Sequence, residues 1–559
     1  MGNEMSETTT PELSDGTTGA ANFDAVIVGA GFAGLYMLHK LRSLGFSARV
    51  LEAADGVGGT WYWNRYPGAR CDVESLEYQY GFEDELPREW KWTERYASQP
   101  EILRYLNHVA DRYDLRRDIQ FETRVTKAVF NESTERWEIE TEQGERLWAT
   151  YCIMATGCLS APKKAEFKGL DSFEGAAYYT AYWPHEGVDF KGKTVGVIGT
   201  GSSAIQAIPI IAEQAAHLTV FQRTANFSVP AHNGPIDPEY QREMTEHYTD
   251  VRRRARDTTM GGIVSVTPGE KSALSATEEE RSQEFEARWR KGGLGFGAAF
   301  VDLIVVEPAN DTVAEFLRSK IRQTVKDPAT AELLCPRDYP FGTKRPCVDT
   351  RYFETFNRDN VTLVDVKNSP IEEITPTGLR TQGAEYEFEC VVFATGFDAM
   401  TGALLSIDIR GRSGRSLKQA WESGPRTYLG LQVVGFPNLF TITGPGSPSV
   451  LTNMIVSIEQ HVDWIADCVN YLREHGLSIE ATVEAQDEWV DHVNMVANFT
   501  LFPRANSWYV GANVPGKPRV FMPYIGGLAM YTQKCKEVAS KSYEGFVLKA
   551  TNPERAATA

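Results

Sequence analysis

The sequence predicts an α/β protein in which two similar nucleotide-binding units are interrupted by a helical insertion. Three observations predict it. Glycine-rich turns follow short apolar runs twice, at GAGFAG and at GTGSSA. The triplet Ala-Thr-Gly ends an apolar run twice, at residues 155–157 and 394–396. Residues 230–331 are instead charged, with apolar side chains recurring at three-to-four spacing.

The first 22 residues are small, polar and acidic, with neither the apolar core of a secretory signal nor the Arg-rich character of a transit peptide. They read as a disordered tail. The apolar run that follows meets Gly29, Gly31 and Gly34, and LYMLHKLRSLG then has helical spacing. The next strand, ARVLE, ends in Glu52, an acid about 20 residues past the turn, as in a dinucleotide-binding unit of the Rossmann type. Glycines there let the backbone approach a pyrophosphate at the helix N-terminus, and Glu52 accepts hydrogen bonds from an adenosine ribose. Alternating residues in RWEIETEQGERLWATYCIM read as hairpin strands that feed a buried strand.

The same grammar returns in TVGVIGTGSSA, with Gly199, Gly201, Ser202 and Ser203 facing the cofactor, and in the strands before 394–396. One position separates the two units. Where the first ends in Glu52, the second has Arg223 and Thr224 after LTVFQ. An acid repels a 2′-phosphate and an arginine welcomes one, so the first unit suits FAD or NAD and the second NADPH. Between them, the charge runs of the insertion read as solvated helix faces.

The expected layout is therefore a tail over 1–22, an FAD-binding domain over 23–158 and 387–549, and an NADPH-binding domain over 159–229 and 332–386. The helical insertion covers 230–331 and a C-terminal tail 550–559. A chain of 559 residues exceeds one ordinary core, and 42% hydrophobic with 24% charged residues is a globular composition. The net charge of −18 argues against nucleic acid or an acidic membrane surface as partner. No run approaches the roughly 18 apolar residues of a membrane span. Eight cysteines show no C-x-x-C pair and no zinc spacing, and the histidines form no metal motif. These features read as a cytoplasmic protein with reduced thiols and no metal, a monomer or weak homo-oligomer.

Two dinucleotides in one chain imply hydride transfer to a flavin. The missing cysteine pair argues against a disulfide reductase and leaves mainly the flavin monooxygenases. FEGAAYYTAYWP resembles the fingerprint F-x-G-x-x-x-H-x-x-x-W-P of Baeyer–Villiger monooxygenases: Phe173, Gly175, Trp183 and Pro184 match, and Tyr179 takes the histidine position. GGTWYWNRYPGARCDVES, FGTKRP, FATGFDAMTGAL, GPGSPSV and NSWYVGANVPGKPR look like the same family, most like its phenylacetone and steroid monooxygenase members.

The resemblance implies FAD, NADPH, O2 and a ketone converted to an ester or lactone through a flavin C4a-peroxide, with sulfides as further substrates. It assigns Arg345 as the catalytic arginine and Asp72 as its acid, and Thr60 and Trp61 to the flavin. Lys344, Arg223 and Thr224 go to the 2′-phosphate, and Trp508 and Lys517 to the nicotinamide side and its closing loop. Met454 lines the substrate side of the flavin, and Ser449, Val450, Leu451 and Thr452 line the substrate pocket. A guanidinium suits that chemistry because it stabilises anionic oxygen without giving up its own proton. Two alternatives stay open: another flavin monooxygenase acting on nitrogen or sulfur, against which Trp183-Pro184 argue, and a non-catalytic nucleotide sensor, which Tyr179 keeps alive.

Overall fold

The structure, a computed structural model, describes residues 21–551. The chain opens with β1 (Ala21–Val28), β2 (Ala48–Leu51), β3 (Ile119–Gln120), β4 (Val125–Asn131), β5 (Arg136–Thr141) and β6 (Arg146–Met154). A second sheet begins with β7 (Ala176–Tyr179), β8 (Thr194–Ile198) and β9 (His217–Gln222). Across the insertion β10 (Ser228–Pro230) pairs in parallel with β11 (Cys347–Asp349). β12 (Val361–Asp365) precedes an antiparallel meander of β13 (Ile371–Thr375), β14 (Gly378–Thr381) and β15 (Glu385–Glu387). β16 (Cys390–Phe393), β17 (Asp408–Arg410) and β18 (Leu439–Thr441) follow.

The first sheet runs β17-β4-β5-β6-β1-β2-β3, with β18 alongside β6. Its centre is parallel, β1 lying between β2 and β6, and the β4–β5–β6 hairpins extend it antiparallel. The second runs β12-β9-β8-β16-β7 and is parallel throughout. Parallel strands need cover on both faces, which is why AVIV in β1 and VGVI in β8 are continuous apolar runs without alternation. The first sheet is covered by the Phe32–Ser43 helix and by the long Met454–His475 helix. That long helix starts where the Asn453 side chain accepts from the Ile455 N–H and stops at Gly476 in a left-handed conformation.

Several expectations need correction. Ala21 and Asn22 belong to β1, where they pair with Leu147 and Trp148, so sheet order begins inside the expected tail; the earlier tail residues lie outside those described, as do those after 551. Ala550 likewise ends a strand, Phe546–Ala550, paired with Leu477. β16 belongs to the second sheet, between β8 and β7, and not to the first domain as the 387 boundary had it. Its residues Cys-Val-Val-Phe are fully buried, which suits a strand with a neighbour on each side.

The insertion, finally, gathers a cluster of its own around Phe285, Phe296 and Leu317, but it is not isolated from the two units. Helices Pro238–Glu246 and Tyr248–Thr258 send Met244 and Val251 into the first core. Helices Glu278–Lys291 and Glu307–Thr324 pack Phe285 and Leu317 with Phe227 and Tyr339 of the second unit. Nor is every charge in it solvated. Arg252 is 7% exposed and forms an ion pair with the buried Glu459, which also accepts from the Gly81 N–H. A charge removed from water persists only with such partners.

Candidate active site

Each glycine loop is built against its own Ala-Thr-Gly triplet. Gly29 has φ +105°, and a Cβ there would lie 2.7 Å from the Ala155 carbonyl oxygen. Gly199 has φ +113°, with the Ala394 oxygen 2.6 Å from the same point. The repeated triplet is thus the wall that each first glycine turns against. Gly34 is a glycine for a different reason: its Cβ would stand 1.8 Å from the Gly29 oxygen.

The middle glycines leave space. Gly31 and Gly201 cap the Phe32–Ser43 and Ser202–Gln214 helices, and neither helix start has a side-chain cap. Around Gly201 an added Cβ meets nothing within 4 Å, and at Gly31 it meets only Gly59, 3.4 Å away. Two bare helix N-termini with free N–H groups and room in front of them fit two pyrophosphates. Thr60 and Trp61 follow Gly59 on the short Thr60–Trp63 helix, which brings them beside the first cradle, and the Trp61 indole donates to the Tyr78 hydroxyl at 3.2 Å.

Glu52 is buried and accepts from the backbone N–H of Ala30 at 2.6 Å and of Ala54 at 2.9 Å. Burial pushes its pKa up while these donors pull it down. The carboxylate ties β2 to the glycine loop and keeps lone pairs for ribose hydroxyls. At the matching place in the second unit, Arg223 is exposed and has no ion pair among the described residues. The Lys344 ammonium lies 4.3 Å over the Tyr339 ring, and burial and the charge of Arg223 lower its pKa. Two cations close enough to disfavour each other, with no acid paired to either, fit a phosphate monoester. Thr224 accepts from the Thr200 hydroxyl at 2.9 Å, Ser202 lies 3.4 Å from the Cys347 sulfur, and Ser203 interacts with the Tyr66 hydroxyl.

Arg345 and Asp72 lie 273 residues apart in the chain and meet in a two-pronged ion pair. Nη2 donates to Oδ1 at 2.8 Å and Nε donates to Oδ2, while Nη1 donates to the Val450 carbonyl at 2.9 Å. Asp72 is held because the Cys71 N–H donates to the Ala97 carbonyl, and Arg345 stands two residues before β11. Burial by itself would lower the pKa of the guanidinium, but the Asp72 carboxylate outweighs it and raises it further. The charge is permanent.

Val450 belongs to a tight 3-10 turn, Ser449–Leu451, whose first residue has φ +43°, a left-handed conformation rare outside glycine. Ser449 Oγ lies 3.0 Å from the Cys158 sulfur, and Thr452 Oγ1 is 2.5 Å from Ser457 Oγ. Leu451, Met454 and Trp508 pack on one apolar cluster with Val450 and Tyr509. Lys517 donates to Asp398 Oδ1 at 2.5 Å and to the Ala399 carbonyl at 2.8 Å. The structure therefore gathers the expected catalytic pair, the 449–452 segment, Met454 and Trp508 into one region.

A family model described as pyridine nucleotide-disulphide oxidoreductase matches residues 26–285. All eight cysteines are buried and unpaired. A Baeyer–Villiger monooxygenase of Pseudooceanicola batsensis is 46% identical over 538 residues, which is 95% of this chain and 97% of that one. This chain belongs to the Baeyer–Villiger monooxygenases. Among solved structures, oxidized steroid monooxygenase bound to NADP superposes with a TM-score of 0.91 at 52% identity, covering 95% of this chain and all of that one. Phenazine N-monooxygenase of Lysobacter antibioticus is 42% identical over 533 residues, 94% and 97% of the two chains.

In this Baeyer–Villiger chain the fingerprint runs from the edge of the second sheet to the border with the first unit, where the Tyr182 ring meets Trp63. Trp183 is buried with Tyr178 and Phe190, and Pro184 follows it, half-buried, in a cleft shared with Arg65, Gln99 and Leu103 of the first unit. A Cβ on Gly175 would strike the Phe173 ring and the Glu389 carbonyl, so Gly175 lets β7 close onto the strand beside it. Tyr179 ends β7, its ring stacked on Phe393 with centroids 5.0 Å apart. Burial first, then the Asp171 carboxylate, raise its pKa, so it bears no charge near neutral pH. Its place is that of a packing residue on a sheet edge.

Of two further contributors, Gln206 closes the stretch VGVIGTGSSAIQ, and Lys163 carries no signal in the sequence. Gln206 joins the units, accepting from the Tyr66 hydroxyl at 2.8 Å and donating to the Arg70 carbonyl at 3.0 Å. Lys163 donates to the Asn513 carbonyl.

Proposed function

We infer that the chain is an FAD-dependent, NADPH-consuming Baeyer–Villiger monooxygenase, which inserts one atom of O2 beside a ketone carbonyl to give an ester or lactone and also accepts sulfides. The observation that carries this reading is Arg345, held by Asp72 and the Val450 carbonyl at the segment that would line the substrate pocket. Bound flavin supplies the activation of dioxygen. The chain supplies the rest. Three of the five guanidinium N–H groups are committed to Asp72 and Val450, the Tyr509 hydroxyl also meets the guanidinium, and an N–H left over would meet an oxyanion on the former carbonyl carbon. Asp72 fixes the plane of the fork, and the apolar side chains of Leu451, Met454 and Trp508 keep water from the reacting atoms.

The second cradle would hold NADPH, with Arg223 and Lys344 on its 2′-phosphate. Because Arg223 is exposed and screened, Arg223→Ala should cost about 1.5 kcal/mol of NADPH binding, on the order of tenfold in Kd, and leave NADH nearly unchanged. Titration of both nucleotides checks it; equal weakening of the two removes the phosphate role.

The likeness to a phenazine N-monooxygenase favours a second reading, oxygen transfer to a ring nitrogen. A panel of cyclic, linear and aryl ketones, sulfides and N-heterocycles separates them by the mass of the product. Ketone-dependent NADPH consumption with an ester one oxygen heavier is expected. Consumption that ignores every ketone and yields only hydrogen peroxide would sink the proposal. Among the described residues no helix is long and apolar enough to cross a membrane. We read the enzyme as working on small molecules in the cytoplasm, as a monomer or weak homo-oligomer.

A further inference from the structure

Residues 161–163 lie along residues 396–398. The Lys163 N–H donates to the Gly396 carbonyl at 3.0 Å, the Asp398 N–H to the Ala161 carbonyl at 2.8 Å, and Thr395 Oγ1 to the Lys163 carbonyl at 3.3 Å. Since the carbonyl of Ala394 is the wall behind Gly199, this ladder fixes Lys163 at the mouth of the second cradle. Its side chain is half-buried and has no ion pair among the described residues.

The same ladder seats a distant segment. Lys163 Nζ donates to the Asn513 carbonyl, Asn513 Nδ2 to the Phe397 carbonyl at 2.7 Å, and Lys517 to Asp398 and Ala399. Burial first, and Arg223 second, lower the pKa of Lys163; Asp398 and Glu166 act the other way, and Asp398 is already taken by Lys517. Arg223 acts on Lys344 in the same sense. Arg223 thus has two ammonium neighbours, and none of the three cations has a carboxylate within ion-pair distance among the described residues. Like charges gathered this way repel, and a dianion between them reverses the sign of the interaction.

We propose that Lys163 is a third cation for the 2′-phosphate of the nicotinamide dinucleotide, and that through the Asn513 carbonyl it makes seating of residues 513–517 depend on that phosphate. The proposal rests on the reading of the second unit as NADPH-binding. With the phosphate present, Lys163 is held charged at the cradle mouth and the segment stays docked. With NAD(H) the three cations repel and the Asn513 contact weakens.

Hydrogen exchange followed by mass spectrometry on the FAD-loaded enzyme tests this, reading peptides that span 513–517 without nucleotide, with NAD+ and with NADP+. Wild type should exchange about tenfold more slowly with NADP+ than with NAD+, the size expected of one charged hydrogen bond. Lys163→Met should erase that difference and weaken NADP+ binding by about tenfold, while Lys163→Arg, which keeps the charge, should retain most of both. Lys163→Met that keeps NADP+-specific protection and affinity overturns the proposal alone. Equal wild-type affinity for NADP+ and NAD+ overturns the NADPH reading and the proposal with it.

Discussion

Arg345→Ala is expected to lower ester formation by about 100-fold or more, the scale of losing one oxyanion donor. The loss has two parts. Truncation removes the only cation within ion-pair reach of Asp72 among the described residues, and leaves a half-buried carboxylate unpaired at the site. It also frees the Val450 carbonyl, which otherwise receives Nη1 and holds the 449–451 turn to the arginine. Arg345→Lys separates these parts. Lysine keeps the charge but cannot reproduce the planar fork that meets both oxygens of Asp72, so it should recover stability more than rate. NADPH oxidation without ketone should survive in part, because it does not use an oxyanion. Product quantified by gas chromatography beside NADPH consumption is the measurement, and a wild-type yield of ester from Arg345→Ala would remove Arg345 from the chemistry.

Gly31→Val should give a folded protein that does not hold flavin. Gly31 has φ −80°, which valine adopts without strain, and its Cβ would meet only Gly59 at van der Waals distance. What changes is the space before the helix N-terminus, where the branched side chain would exclude a pyrophosphate. The neighbouring glycines are unlike it. Valine at Gly29 or Gly34 drives a side chain into backbone oxygen and should unfold the first unit. The expected result for Gly31→Val is unchanged circular dichroism with visible flavin absorbance close to zero. Full flavin retention would refute the assignment of this cradle.

Much of the architecture was legible because a glycine loop is a local device. Its tight turn, apolar strand, helix and acid lie within one short stretch, and the contrast of Glu52 with Arg223 needs no tertiary knowledge. Arg345 and Asp72 are the opposite case. No spacing connects them, and only the resemblance of two motifs to one family brought them together. The repeat of Ala-Thr-Gly at 394–396 places β16 in the second unit, where the structure has it, and only the 387 boundary cuts across it, because no composition change marks where the chain crosses between units. Arg252 read as solvent-facing for the same reason: it sits in a charge run, and its buried partner, Glu459, is 207 residues away. Lys163 is one of two consecutive lysines and looks like any surface pair until Asn513 is placed against it.

The pairing of β18 with β6 bears on how the chain is made. Cys152, Ile153 and Met154 have β1 on one side, but among the described residues their other edge is covered only by Leu439–Thr441. On the ribosome that apolar edge stays bare until residue 441 has emerged, on the order of ten seconds to a minute at about 5–20 residues per second. A bare strand edge recruits other strands, including those of neighbouring nascent chains. Slow, cool expression with ample chaperone should therefore raise the yield of this protein more than any change to its surface, and a chain cut short before Leu439 should aggregate.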